Sequence, residues 1–252
     1  MYFKTCPTNI SEEKINQYLL MLRDTQTPSY SYFKHTVYGL RLAFRLTGRE
    51  DRAIRLPSIK KIKKLPVVLS RAECKELFAT PKLLKHRVLF SLIYSAGLRI
   101  SEASNLKQAD IDFDRMMIHI RQSKYNKDRM VPLSKNMKIG LQKYYKSCKP
   151  RTYVFNGSDG HRNLSVRGIQ HMFRETVRKT SIQKKITTHS LRHSYATHLC
   201  EEGLDLLTIR DLLGHEDIVT TMVYLHVAGR CSNKAYSPFD TLYAKSDGQT
   251  KI

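Results

Sequence analysis

Residues 56–66 read LPSIKKIKKLP, a run with a proline near each end and four lysines between. Proline lacks an amide N–H and pushes the residue before it out of the helical region, so no regular element can run through both ends. The run reads as a linker. It divides the 252 residues into a short N-terminal domain, 1–56, a basic connection over 57–68 and a larger domain, 69–252. With 41% of residues hydrophobic, the chain has enough apolar side chain for a real core.

In the N-terminal piece, from Ser11 to about Arg23, Ile15, Tyr18, Leu19 and Leu22 recur at the spacing of an amphipathic helix. A second helix is expected from Ser29, just after Pro28, to Gly48, with Phe33, Val37, Leu40 and Phe44 on its buried stripe. Between these stripes lie Arg23, Lys34, His35, Arg41 and Arg45, followed by Arg49, Arg52 and Arg55. A solvated face is the default reading of such charge. The whole chain, however, carries 44 Lys and Arg against 22 Asp and Glu, a net charge of +22, which implies a polyanionic partner. Nucleic acid leads, while a solubilising surface or a ribosomal-type basic protein stays open on charge alone. No apolar run reaches the length of a membrane span, and the opening MYFKTCPTNI lacks the form of a signal peptide, so a soluble cytoplasmic protein is expected. The five cysteines are widely spaced without a C-x-x-C pair and read as reduced thiols.

The longer piece opens with Ser70 and Glu73, an S-x-x-E capping box heading a helix. A helix follows from Pro81 to Ala96, ended by Gly97 as a left-handed cap, and Arg99 is delivered just beyond it. Met116–Ile120 and Arg129–Leu133 read as two strands joined by the polar turn SKYNKD, which carries Lys124 and Lys127. Helices over Ser134–Cys148 and Val166–Thr180 flank a glycine-bearing loop, and the second of them bears Arg167, Arg174, Arg178 and Lys179. The expected class is mainly α with a small β-hairpin, α+β.

The stretch Thr188–Val227 concentrates the chemistry. His189 and Arg192 lie three apart and share a helix face, and both can donate to a phosphate. Tyr224 follows His215 on a segment whose Ile218, Met222 and Leu225 keep helical spacing. A phenol beside a cationic cluster suits a nucleophile attacking a phosphodiester. The spacing of His189 and His193 could also bind zinc, but there is no HExxH glutamate and no persuasive third ligand. No metal and no other cofactor is expected. His193, His198 and His226 are assigned to packing or surface and Tyr195 to a core. Tyr236 and Tyr243 rival Tyr224, but neither has an LLGH block at the right distance.

Five blocks in one order, GLRISE around Arg99, KYNKDRMVPL from Lys124, HSLR, LLGH and TTMVY, resemble the tyrosine recombinase (integrase) family, in particular its Xer and integron members. The resemblance implies a small helical DNA-binding domain followed by a catalytic domain; residues 1–56 are short for the first, so part of the usual bundle is expected to be missing or pared down. It implies Tyr224 as nucleophile, and Arg99 and Arg192 on the non-bridging phosphate oxygens. His189 would accept the tyrosine proton or bond the phosphate, His215 would add a donor, and Lys124 would be general acid. An ion pair with Glu102 is the competing role for Arg99. Lys127 competes with Lys124, since Tyr125 stands where a glycine is more usual. The partners implied are double-stranded recombination sites and three further copies of the chain in a tetramer, and the tail with its SPFDTL block would dock on a neighbouring subunit or on its own domain. A type IB topoisomerase and a catalytically inactive DNA-binding protein are the alternatives.

Overall fold

The computed structural model describes residues 5, 6, 9–26, 30–49, 54, 65–121, 128–157 and 160–228. The expected linker over 57–68 falls largely outside them, as do Lys124, Lys127, Arg52, Arg55, Cys231, Tyr236, Tyr243 and the tail. The chain divides into two compact units, residues 1–64 and 65–252.

In the first unit, α1 (Glu12–Gln26) and α2 (Tyr30–Leu46) form a helical pair. Its core joins Ile15, Leu19 and Leu22 of α1 to Phe33, Val37 and Phe44 of α2, with Ile10 and Ile54 added from outside the helices. Arg41 secures the returning chain by donating from Nε and Nη2 to the carbonyl of Ile54, at 3.0 and 2.7 Å. The outer face of α2 leaves Tyr32, Tyr38, Leu42 and Leu46 exposed. Over the Tyr38 ring stand Lys34 and Arg41, at 5.4 and 5.8 Å from its centre.

The second unit begins with α3 (Arg71–Ala79), capped as its sequence implies: Ser70 Oγ accepts from Glu73 N at 3.1 Å, and Glu73 Oε2 accepts from Ser70 N at 2.7 Å. Next comes α4 (Leu84–Ser95), which starts three residues later than expected from Pro81. Residues 81–83 form an entry turn instead, with Arg87 Nε donating to the Pro81 carbonyl at 2.6 Å. Then follow α5 (Ile100–Asn105) and a single 3₁₀ turn, Gln108–Asp110.

The sheet is antiparallel and has three strands in chain order: β1 (Ile111–Asp112), β2 (Met117–Ile120) and β3 (Arg129–Pro132). The two longer strands match expectation, whereas β1, two residues long, does not register in any periodic pattern. Ile118 pairs with Val131 across β2 and β3, and both side chains are buried. Helices α6 (Lys135–Cys148), α7 (Val166–Val177), α8 (Thr188–Glu202), α9 (Leu206–Leu213) and α10 (Val219–Val227) complete the unit. The fold is therefore mostly helical with one small sheet.

Two of these helices organise the rest. Helix α4 packs on α3, α6 and α8, and α8 packs on α9 and α10. Being covered on several sides, α8 cannot be amphipathic. It buries Thr188, Ser190, Arg192, Ser194, Thr197 and His198 along with its apolar residues. Buried polar groups need partners, and several are met across the core. Ser194 Oγ accepts from Leu69 N at 2.9 Å and donates to the Ser190 carbonyl, while His198 contacts Tyr94 Oη at 2.8 Å and the Leu69 carbonyl at 3.0 Å.

Candidate active site

Helix C-termini expose carbonyls that have no partner inside the helix. Around α8, three arginines take up such groups. Arg192 Nη1 donates to the Gly97 carbonyl just past α4 at 2.6 Å, and its Nη2 donates to the Leu213 carbonyl at the end of α9. Arg99, the N-cap of α5, donates from Nη2 to the Gly214 carbonyl at 3.0 Å, and Arg129 of β3 donates from Nε to the Leu212 carbonyl at 2.8 Å. Each cation also faces the negative end of a helix dipole.

Both helix ends are shaped by glycines with left-handed backbone. Gly214, φ +63°, has Arg129 Cδ 3.1 Å from where a Cβ would stand. Gly97, φ +57°, has the Tyr195 ring 2.5 Å from that position. Tyr195 is thus a core residue, as expected, and it reserves the space beneath the arginines.

One carboxylate ties the array together. Glu102 accepts from Arg129 Nη1 and Nη2 at 2.8 and 2.7 Å, from Arg99 Nη1 at 2.8 Å and from Arg99 N at 2.8 Å. Arg192 Nη1 lies 3.8 Å away. Burial alone would raise the pKa of Glu102, but the bonds and charge of Arg129 and the donors of Arg99 hold it at about 2. Three guanidinium groups around a single carboxylate leave the site positive, suited to an anion.

The phenol of Tyr224 meets this array from α10. Arg192 and Tyr224 are only 1% and 2% exposed. Burial raises the tyrosine pKa, and the nearby charges of Arg192 and Arg99 act in the opposite sense. The hydroxyl lies 3.0 Å from His193 Nδ1. His215, directly after α9, stacks on the tyrosine ring, 6.4 Å between centres and 15° between planes, and its Nδ1 lies 2.9 Å from Thr221 Oγ1. His189 is exposed and meets His193 edge to face at 4.6 Å.

All three histidines are held towards the neutral form. Burial, aided by Arg192 and Arg99, pushes His215 down to about 3; burial with His189 and Arg192 pushes His193 down to about 4. His189 is lowered by desolvation and by the same two arginines. Burial and Arg99 bring Arg192 down to about 9, which leaves it cationic at neutral pH.

The profile of the phage integrase family matches residues 67–230. The chain belongs to the phage integrase family. A tyrosine recombinase XerA of Thermococcus kodakarensis is 38% identical over 204 residues, covering 79% of this chain and 72% of that protein. A tyrosine recombinase XerC of Pelotomaculum thermopropionicum is 36% identical over 199 residues, covering 73% and 64%. Among solved structures, that of a XerA recombinase aligns with a TM-score of 0.60 at 27% identity, over 89% of this chain and 81% of the other. The structure of XerH site-specific recombinase bound to palindromic difH substrate aligns with a TM-score of 0.71 over 87% and 70%; at 21% identity it speaks to the fold alone.

Of the integrase-type residues expected from sequence, the structure brings together Arg99, Arg192, His215 and Tyr224, with His189 at the edge through His193. Lys124 lies outside the described residues. The ion pair weighed as the competing role for Arg99 is formed, and it orients the guanidinium rather than removing it from the array. Sequence reasoning passed over His193, assigned to packing or surface, and Arg129. The first could have been flagged by its position next to Arg192 and one turn beyond His189. Nothing marks the second, one arginine within a strand of a strongly basic chain.

Proposed function

We propose that this integrase-family protein is a site-specific DNA recombinase that cleaves and rejoins strands through a 3′-phosphotyrosyl intermediate on Tyr224. The observation that carries the reading is a buried phenol 3.0 Å from His193 Nδ1 and within the field of Arg192 and Arg99, members of an arginine array joined by Glu102. In this reading a backbone phosphate enters next to Arg99 and Arg192, whose planar guanidinium groups match its non-bridging oxygens and favour the charge of the transition state. Because Arg192 and Tyr224 are closed to solvent, the phosphate gains access only as the Tyr224 side of the site yields.

Attack by Tyr224 Oη forms the bond to phosphorus and breaks the bond to the 5′ oxygen, which takes a proton from Lys124 or, one step along the turn, Lys127. His189 accepts the tyrosine proton or bonds the phosphate, and His215 supplies a further donor. The phosphotyrosyl bond keeps the energy of the broken phosphodiester, so a second 5′ hydroxyl can reverse the step and join a new strand without nucleotide or metal cofactor. Residues 69–252 perform this chemistry; the basic helical pair within residues 1–56 grips the duplex through phosphate contacts. Four copies act on two recombination sites, as the resemblance to the tyrosine recombinases implies.

The test is a duplex carrying the inverted repeats that flank the gene, nicked near the cleavage position so that the covalent product is trapped. The protein is expected to form an adduct that survives denaturing electrophoresis, and Tyr224→Phe, which keeps the ring and its packing, is expected to form none while still binding DNA. An adduct from Tyr224→Phe would sink the assignment.

A further inference from the structure

We infer that His193, rather than His189, is the proton acceptor for Tyr224: the phenol donates to His193 Nδ1 before cleavage and passes its proton there as the phosphotyrosyl bond forms. The inference deepens the proposed function and rests on its choice of nucleophile.

Geometry separates the three histidines of the site. A general base has to lie within about 2.6–3.2 Å of the atom it deprotonates, and His193 Nδ1 stands 3.0 Å from Tyr224 Oη. His215 lies flat against the tyrosine ring and directs its Nδ1 to Thr221 Oγ1. It is placed to support the ring, not to take its proton. His189 is exposed on the first turn of α8 and touches His193 edge to face, which suits a group meeting an incoming phosphate. The spacing along α8 makes this division possible. His189 and His193 are one helical turn apart, so they stack along the same face, the second half-buried against Tyr224 of α10 and the first open.

Burial first, and then the charges of His189 and Arg192 on its own helix, favour a neutral imidazole at His193; the other titratable groups facing it are Tyr224 on α10 and His215 beyond α9. Its lowered pKa keeps a ring lone pair available throughout the neutral range, and Arg192, one of the charges that lowers it, also opposes the rise that burial imposes on the phenol. As Oη bonds to phosphorus, the O–H bond breaks, the proton moves to Nδ1 and His193 becomes an imidazolium. The 5′ oxygen departs with its proton from the hairpin lysine. On rejoining, the 5′ hydroxyl attacks phosphorus and gives its proton back to the hairpin lysine, the phosphotyrosyl bond breaks, and His193 returns its proton to the leaving phenol.

The experiment measures single-turnover cleavage of the nicked duplex by full-length His193→Ala, His193→Asn and His189→Ala, with and without added imidazole; thermal melting and DNA binding verify the fold. His193→Ala is expected to cleave about 10² to 10⁴-fold more slowly, the range for loss of a general base. Imidazole should restore part of that rate in proportion to its free-base concentration. His193→Asn keeps a hydrogen-bond acceptor without basicity and is expected to stay slow. Three results would each overturn the inference: an unimpaired His193→Asn, which reduces His193 to holding the ring; His193→Ala that does not respond to imidazole; or rescue seen only in His189→Ala. If instead Tyr224→Phe forms adducts, the nucleophile itself is wrong, an outcome distinct from all three.

Discussion

The two halves of the candidate site are held in different ways. Arg99, Arg129 and Arg192 each donate to carbonyls at the ends of α4 or α9, and all three surround Glu102, so the cationic half is made from the same bonds that finish the helices. Tyr224 is held by a hydrogen bond to His193, by stacking on His215 and by the packing of α10 on α8 and α9. Removing a member of the first half breaks buried charge pairing and at least one helix end together, and removing Arg192 breaks both. Among the described residues the second half carries no charge pairing: its hold on Tyr224 is one hydrogen bond, ring contacts with His193 and His215, and the packing of α10. Under the proposed function that asymmetry has a use: the arginine array is a preorganised phosphate receptor, while Tyr224 stays closed until DNA arrives.

Glu102→Gln is the strongest way to break this comparison. It keeps the shape but leaves the guanidinium groups of Arg99 and Arg129, with Arg192 nearby, facing a neutral amide. Loss of one partner of a buried ion pair costs about 3 to 5 kcal/mol, and a denaturant titration should show a loss of that order along with weakened DNA cleavage. A variant as stable as the parent would mean that the array is not what closes these helix ends.

Acidification separates the halves by pH. For His193 and His215 the folded pKa lies below the unfolded value near 6.5, so the unfolded chain takes up protons first. Their contribution to stability is complete above pH 6.5 and is lost as pH falls towards about 4 and then about 3. Glu102, with its pKa depressed to about 2, keeps its contribution until pH falls below about 4.5 and loses it from there towards 2. Melting temperatures should therefore decline between pH 6.5 and 4.5 chiefly through the histidines, with the arginine array failing only below. A flat curve down to pH 4.5 would contradict the half-buried, neutral histidines.

Much of the frame was legible because local rules and tertiary packing agree on it. Ser70 and Glu73 announce α3, Gly97 marks the end of α4, and the polar turn SKYNKD sets off the two hairpin strands. What was not legible depends on contacts between distant segments. Ile111–Asp112 becomes a strand only because β2 is there to pair with it. Helix α8 buries Ser190, Ser194 and Thr197, and no hydrophobic period reveals a helix covered on several sides. His193 resembles any other histidine on a helix until α10 docks and brings Tyr224 to it, 31 residues along the chain. Arg129 is lost among 44 basic residues until Glu102 singles it out.

Gly97→Ala probes the cationic half through its backbone. A left-handed conformation costs a non-glycine residue roughly 1 to 2 kcal/mol, and the new Cβ would lie 2.5 Å from the Tyr195 ring, adding about 1 to 3 kcal/mol of overpacking. The melting temperature is expected to fall, and cleavage with it, because the Gly97 carbonyl that accepts from Arg192 moves. Tyr195→Leu in the same chain removes the ring and should recover part of the loss. No recovery would place the strain elsewhere.

Thr221→Val tests the weaker half by its least essential bond. Thr221 is fully buried on α10, and its hydroxyl lies 2.9 Å from His215 Nδ1. Valine fills nearly the same volume but leaves that nitrogen without the oxygen, at a cost of about 1 kcal/mol. The stack of His215 on Tyr224 then loses its outer support while the His193 bond remains. Cleavage should slow by less than about tenfold, since a tenfold change corresponds to about 1.4 kcal/mol, and the chemical denaturation midpoint should shift only slightly. A loss approaching that of Glu102→Gln would mean that His215 and Thr221 are wired into the arginine array after all, and that the nucleophile is clamped as firmly as its phosphate receptor.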